Sequence, residues 1–205
     1  MQISDADLVA RYLDTGDERA FRTLVERHQE RIFGYLLGMV HDRDVANDLF
    51  QDTFVRAIKA MHKQRGNYTA QGRWVHWVIR IARNAALDHL RSRKRWRTSI
   101  PKDDGEDDRE SYWDRLPDQE PNAAEQLHRT EQEAWLQSCI DKLPPDQREV
   151  LLLRHDGELT FREIEELTDC SINTALGRMR YALQNLRKLM AASKKSELGN
   201  LEYAP

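Results

Sequence analysis

The feature that most restricts the fold is a long apolar stripe in which hydrophobic side chains recur every three or four residues. Its members between Ala20 and Met39 are Phe21, Leu24, Val25, His28, Ile32, Tyr35 and Leu36. This spacing places the side chains on one face of an α-helix, whereas a half-buried strand would require alternation. Similar stripes run from Val45 to Ile58 and from Trp74 to Ala85. The sequence therefore predicts an all-α chain.

Composition supports a helical fold and argues against several other classes of protein. Nine glycines and six prolines in 205 residues are too few for a turn-dense β protein, and 40% hydrophobic residues suffice for a core. No apolar run approaches the ~18 residues of a membrane span. The N-terminus lacks the basic and apolar segments of a signal peptide. We therefore expect a cytoplasmic protein without membrane insertion.

The sequence offers no recognisable catalytic or metal-binding motif. Cys139 and Cys170 are the only two cysteines, too few for a disulfide framework or a four-cysteine zinc site. The seven histidines show no metal-ligand spacing. Neither a phosphate-binding glycine loop nor a catalytic triad is evident. We therefore predict that the protein is not an enzyme and binds no metal or cofactor.

Charge is segregated along the chain, although the net charge is only −3. Residues 73–97 contain eight lysines and arginines against one acid, and residues 171–195 contain six against none. Between these blocks, residues 103–120 contain nine acids and two arginines. The net charge alone argues against nucleic-acid binding, but the two basic blocks are suited to it.

We divide the chain into two small helical domains, residues 1–97 and 124–192, with an acidic linker over 98–123 and a polar tail over 193–205. The linker contains prolines and clustered acids, which cannot bury enough apolar surface to offset the entropy of ordering. We therefore expect it to be flexible. A divalent-metal site or a mimic of nucleic acid is a less favoured interpretation of its acids.

The C-terminal domain contains the pattern of a helix-turn-helix. Thr160 and Glu163 form a capping-box motif at the start of a short helix that ends near Thr168. After a tight turn, Ser171 can cap a second, basic helix that runs to about Met190. This layout is typical of DNA-binding domains, although other helical hairpins share it.

Three motifs together resemble the extracytoplasmic-function group of bacterial RNA polymerase sigma factors. They are ANDLFQDTF at residues 46–54, WVIRIARN at 77–84 and LPPDQREV at 143–150, the last leading into the helix-turn-helix. The resemblance covers nearly the whole chain. It implies a sigma factor that directs core RNA polymerase to specific promoters and promotes DNA opening. The implied partners are core RNA polymerase, promoter DNA and, as is common in the group, an anti-sigma factor.

The first motif carries the predicted polymerase contact. Asp48, Gln51 and Asp52 lie within about one turn of each other on a polar stripe of a helix. Phe50 adds an aromatic side chain of the kind found at interface centres. The resemblance implies that these four residues bind a coiled coil of the polymerase largest subunit. An ordinary solvated helix face is the alternative.

The resemblance assigns the loop before the second motif, and the helix that follows, to the −10 element, where a flipped base is read. Tyr68 and Trp74 would stack on a base, and Asn84 would hydrogen-bond a base edge. The side chains expected to hold phosphates are Arg73, Arg80 and Arg83. Because Trp74 also belongs to an apolar stripe, a place in the core is the alternative.

The resemblance assigns the second helix of the helix-turn-helix to the −35 element. The candidate DNA contacts are Ser171, Asn173, Thr174, Gly177, Arg178, Arg180 and Tyr181. Arg178 and Arg180 are the best suited to a guanine or a phosphate. Leu176 and Gly177 stand where the family commonly has Lys or Arg and then Ser, which leaves the promoter sequence open.

Two other classes of protein are alternatives to a sigma factor. One is a stand-alone helix-turn-helix regulator that binds duplex operator DNA, and the other is a helical adaptor without DNA contact. A simple repressor needs neither the stripe of Asp48, Gln51 and Asp52 nor an aromatic loop beside a basic helix. The two acid-poor basic blocks disfavour the adaptor.

Overall fold

The computed structural model describes residues 3–63, 73–99 and 134–201, and within these ranges the chain is helical with no strand. The helices are α1 (Asp5–Thr15), α2 (Glu18–Val40), α3 (Arg43–Lys63), α4 (Trp74–Ser99), α5 (134–141), α6 (Pro145–His155), α7 (Phe161–Thr168) and α8 (Ile172–Leu201). The predicted all-α class is confirmed. None of the helices in the described ranges is long and apolar enough to cross a membrane.

The chain divides into two compact units. The first unit combines Met1–Pro101 with Leu152–Cys170, and the second combines Lys102–Leu151 with Ser171–Pro205. Residues 152–170, called the returning segment below, therefore pack with the N-terminal helices in the first unit. The predicted loop at 64–72 and nearly all of the predicted acidic linker lie outside the described residues.

Capping interactions explain where the N-terminal helices begin and end. Ser4 and Asp17 are the N-caps of α1 and α2, and their side chains accept hydrogen bonds from first-turn N–H groups. Gly16 and His41 end these helices in the left-handed conformation, with φ of 68° and 56°. The sequence predicts the break near His41. The sequence does not predict the break at Gly16, because the helical pattern continues on both sides of it.

The predicted apolar stripes form the core of the first unit. Leu24, Ile32 and Leu36 of α2 are fully buried, as are Val78 and Ile79 of α4. The returning segment adds the buried side chains of Leu153, Leu159, Ile164 and Leu167. Burial of this apolar surface is the main force that holds the unit together.

The second unit has a smaller core. Leu143, Leu151 and Ala182 form a buried cluster, against which Ile140, Met179 and Leu189 pack. A hydrogen bond from Asn185 Nδ2 to Gln147 Oε1, 2.8 Å long, adds a polar contact between α8 and α6. Pro145 stands at the first position of α6, as the sequence predicts, because a first-turn proline lacks only an N–H that has no helical partner.

His28 is a buried polar side chain that joins α2 to the start of α1. Its Nε2 lies 2.7 Å from Asp5 Oδ2, and Arg27 forms an ion pair with the same carboxylate. Burial lowers the pKa of His28, and the attraction of Asp5 offsets only part of that effect. The imidazole is therefore neutral near pH 7 and donates its Nε2–H to Asp5. Its buried Nδ1 has no hydrogen-bond partner among the described residues.

We predict that the first unit loses stability as the pH falls below about 6.5, the ordinary pKa of histidine. The unfolded chain binds the proton of His28 more readily than the folded chain, so acid favours unfolding. The midpoint temperature of unfolding, followed by circular dichroism, should fall less between pH 7.5 and 5.5 in His28→Gln, which does not titrate and retains an N–H donor. An equal fall in both proteins would contradict the assignment.

Candidate functional site

The acidic stripe of α3 is displayed on the surface of the first unit. Asp48 and Gln51 are exposed, and Asp52 is half-exposed. Asp52 Oδ2 forms an ion pair with Arg56 Nη2 at 2.6 Å, one turn further along the helix. On the opposite side of α3, the Thr53 side chain is buried. The three predicted residues therefore share a surface that a basic partner could reach.

Phe50 lies on the side of α3 that packs against the core, away from Asp48 and Asp52. Its side chain is half-buried and forms edge-to-face contacts with Phe33 and Phe54, with ring centroids 6.0 and 4.9 Å apart. Arg43 lies over the Phe33 ring, 5.7 Å from its centroid. An aromatic side chain held in place and partly exposed can add apolar contact area to an interface at little cost in entropy.

A basic face is displayed on α4. Arg73, Arg80 and Asn84 are exposed, and their spacing of seven and four residues places them on one side of the helix. Arg83 is half-buried. Tyr68, the predicted stacking residue of the loop, lies outside the described residues. The structure thus brings together three of the six predicted −10 contacts.

Trp74 is part of the core. Its side chain is 1% exposed and contacts His28 and Phe54, with ring centroids 5.6 and 6.3 Å away. Its Nε1 has no hydrogen-bond partner among the described residues. The ring is not available to stack on a base in this structure, which corrects the predicted DNA contact to a structural role. The spacing of Trp74 and Val78 on the apolar stripe was the signal for this role.

The basic face of α4 has an acidic neighbour that the sequence analysis missed. Arg73 Nη1 lies 3.2 Å from Glu166 Oε2, and Arg80 Nη2 donates to the backbone carbonyl of Glu166 at 3.2 Å. Glu166 belongs to α7 in the returning segment. Arg73 and Glu166 are 93 positions apart in the sequence, beyond the reach of any local pattern, so no signal in the sequence could have found this pair.

The predicted capping box of α7 is confirmed. Thr160 Oγ1 accepts a hydrogen bond from the N–H of Glu163, and the Glu163 carboxylate accepts one from the N–H of Thr160 at 2.8 Å. Burial alone would raise the pKa of Glu163. The hydrogen bonds from Thr160, together with the neighbouring His76 and Arg73, outweigh burial and lower that pKa.

The start of α8 presents most of the predicted −35 contacts to solvent. Ser171 is the N-cap, as predicted, because its Oγ accepts from the N–H of Thr174 at 3.1 Å. Asn173, Thr174 and Arg180 are exposed, and Tyr181 is 58% exposed. This first part of a basic helix therefore carries hydrogen-bond donors and an aromatic ring that are free of the core.

Two predicted residues of α8 have distinct surroundings. Arg178 Nη2 forms an ion pair with Asp146 Oδ2 at 2.7 Å, and its side chain is 28% exposed. A Cβ added at Gly177 would meet nothing within 4 Å, so packing inside the protein does not require a glycine there. A partner surface that approaches the backbone closely at this position would explain why residue 177 is a glycine.

Comparisons with protein families match both halves of the chain. Residues 24–96 match the family model for Sigma-70 region 2, and residues 133–186 match the model for Sigma-70, region 4. The chain is 32% identical over 191 residues to RNA polymerase sigma-H factor of Pseudomonas aeruginosa, covering 92% of this chain and 95% of the relative. It is 30% identical over 181 residues to the ECF RNA polymerase sigma-E factor of Haemophilus influenzae, covering 87% and 90%.

Two solved structures share the fold. The sigma factor RpoE from Bartonella quintana, in complex with the anti-sigma factor NepR, aligns with a TM-score of 0.59 at 20% identity, covering 83% of this chain and 96% of that chain. CnrH in complex with the cytosolic domain of CnrY aligns with a TM-score of 0.61 at 22% identity, covering 93% and 99%.

We predict that Trp74→Ala destabilises the first unit by about 3–5 kcal/mol, because it removes a buried aromatic side chain and leaves a cavity. Trp74→Phe retains most of the ring contacts and should cost less. Trp77→Ala, at a half-buried position on the same helix, is the matched control. Urea denaturation followed by circular dichroism measures the loss. A wild-type stability for Trp74→Ala would contradict the core role.

Proposed function

The chain belongs to the extracytoplasmic-function group of the sigma-70 family, whose members direct RNA polymerase to promoters, and we propose how its surfaces divide this work. We propose that α3 binds core polymerase, α4 binds the −10 element and α8 binds the −35 element. The observation that carries the proposal is the exposure of an acidic stripe on α3 and a basic face on α4 within one unit.

The polymerase contact rests on charge and on a held aromatic side chain. Asp48, Gln51 and Asp52 offer carboxylate and amide oxygens to basic side chains of a partner. Phe50, half-buried on the same helix, would add apolar contact area at the edge of the interface through its exposed part. A repressor acting alone would have no use for this stripe, which favours the sigma-factor assignment over a stand-alone regulator.

The −10 contact rests on the basic face of α4. Arg73 and Arg80 would hold backbone phosphates, and Asn84 on the same side would hydrogen-bond a base edge. By resemblance to the family, the loop before α4, which contains Tyr68, reads an unpaired base. Because Trp74 is buried in the core, Tyr68 is the aromatic side chain that we propose for stacking on an unpaired base.

Promoter opening needs no catalytic chemistry in this scheme. Captured bases and the binding energy of polymerase would offset the cost of unpairing, so no nucleotide has to be hydrolysed. Sigma factors as a family are not enzymes, and we propose the same of this chain. We also propose that it acts in the cytoplasm, where polymerase and promoter DNA are found.

We propose further that an anti-sigma factor is among the partners of this chain. The two solved neighbours described above are complexes, one with the anti-sigma factor NepR and the other with the cytosolic domain of CnrY. The chain has the same fold, and its exposed charged surfaces are suited to a protein partner.

We predict that reversing both acids of the stripe, as Asp48→Arg with Asp52→Arg, removes core binding and leaves the fold intact. The changes invert the electrostatic match at exposed positions and bury nothing new. The control is Glu26→Arg with Glu30→Arg, which makes the same change at the same spacing on exposed positions of α2. Co-purification with core polymerase is the measurement. Equal core binding by both double variants would contradict the polymerase contact.

We predict that Arg180→Ala weakens binding of the holoenzyme to promoter fragments that it has selected from a random library. Its guanidinium is exposed near the start of α8, where a recognition helix meets DNA. Loss of a base contact would cost about 1–3 kcal/mol at particular sequences, whereas loss of a phosphate contact would weaken all sequences and reduce the salt slope.

Arg187→Ala is the control for this experiment, since Arg187 is exposed two turns further along the same helix. Fluorescence anisotropy at several salt concentrations separates base contacts from phosphate contacts. If Arg180→Ala binds as tightly as the wild type at every salt concentration, α8 is not oriented on DNA as proposed.

A further inference from the structure

The start of α8 exposes one aliphatic side chain among polar ones. Leu176 is 44% exposed, whereas the other exposed residues from Ser171 to Tyr181 carry hydroxyl, amide or guanidinium groups. Removing the apolar surface of a leucine from water is favourable, so this side chain has binding energy to offer to an apolar group of a partner.

Helical spacing places Leu176 among the predicted DNA contacts of α8. Asn173 precedes it by three residues and Arg180 follows it by four, so these three exposed side chains lie on one side of the helix. Ala175 and Ala182, seven residues apart, are fully buried on the side that packs against the protein. Leu176 therefore stands between an amide and a guanidinium on the outer side of α8.

Gly177 suits the short reach of the leucine beside it. A leucine is shorter than an arginine or a lysine, so it can contact a base only where the helix backbone comes close to the floor of a groove. A Cβ at residue 177 would meet nothing within 4 Å, and alanine is more favourable than glycine inside a helix. The absence of a side chain at residue 177 is therefore explained by a close approach to a partner.

The charge around Leu176 is complementary to DNA. Residues 171–195 contain six lysines and arginines and no acid, which matches a polyanion. Asp146 of α6, an acid that contacts this helix, is paired with Arg178 at 2.7 Å. On the base edges of the major groove, the apolar group that a leucine can contact is the C5 methyl of thymine.

We propose that Leu176 reads the C5 methyl group of a thymine in the −35 element, with Gly177 allowing the backbone of α8 to approach the groove. This inference rests on the proposed function, because it takes α8 as the helix that binds the −35 element. An arginine or lysine at residue 176, common in the family, would favour a guanine instead. The leucine of this chain therefore changes which base pair is preferred.

Deoxyuridine tests the methyl contact, because it differs from thymidine only in lacking the C5 methyl. Holoenzyme that contains the full chain first selects promoter fragments from a random library, and each thymine of the −35 element is then replaced in turn. We expect one replacement to weaken binding by about fourfold, the effect of one buried methyl group. No effect of any replacement, or a selected −35 element without an A·T pair, would overturn the proposal.

Leu176→Ala shows whether this side chain is the one that contacts the methyl. The variant should bind the thymine promoter at least about fourfold more weakly and lose most of its sensitivity to deoxyuridine. The matched control is Leu183→Ala, which should keep that sensitivity, since Leu183 is 39% exposed but lies about 10 Å further along the helix. If Leu176→Ala keeps the sensitivity of the wild type, another residue reads the methyl and the proposal is wrong.

Leu176→Arg tests the same contact by a gain of specificity. Holoenzyme with this variant should select a base pair that contains guanine where the wild type selects the thymine, because arginine binds O6 and N7 of guanine. An unchanged preference for thymine at that base pair would contradict the proposal.

Gly177→Ala tests the close approach of the backbone. The change should raise the midpoint temperature of unfolding, because alanine is the better helix former and the added Cβ meets nothing within 4 Å. It should nevertheless weaken promoter binding, because the Cβ would separate α8 from the groove. Promoter binding equal to that of the wild type would overturn the approach on which the leucine contact depends.

A fragment with a scrambled −35 element separates failure of this inference from failure of the proposed function. If wild-type holoenzyme binds the scrambled and selected fragments equally, α8 does not read the −35 element and both fail. If it discriminates between them but ignores deoxyuridine, only the thymine contact fails. Loss of co-purification with core polymerase by Leu176→Ala, with sensitivity to deoxyuridine unchanged, would assign Leu176 to a protein contact and overturn the inference.

Discussion

The burial of Trp74 is the contact on which the first unit depends. The ring lies between His28 of α2 and Phe54 of α3, so it fixes the first turn of α4 against both helices. Helical geometry then decides what faces outward, because residues 73, 80 and 84 cannot share the buried side with 74 and 78. The burial of Trp74 therefore determines which side of α4 is exposed, and that side is the basic one.

The same reasoning accounts for α3. Thr53 and Phe54 are buried, which leaves Asp48, Gln51 and Asp52 on the outer side of the helix. The protein therefore presents two surfaces of opposite charge from one small core. Under the proposed function, the acidic stripe would bind polymerase and the basic face would bind promoter DNA, so each partner would meet a surface of suitable charge.

The returning segment adds a constraint of a different kind. Its apolar side chains complete the core of the first unit, while Glu166 meets the basic face of α4. Apolar packing holds this segment in the unit, whereas the exposed ion pair contributes little.

The sequence by itself determined the helices, the capping box of Thr160 and Glu163, the Ser171 cap and the polar side of α3. These features depend on residues three or four positions apart, which local spacing specifies. Only the tertiary structure decided that Trp74 is in the core, since apolar spacing is compatible with either role. It also decided that Arg31 meets Gly157 and Arg73 meets Glu166, because these partners are 126 and 93 positions apart in the sequence and no local pattern links residues so distant.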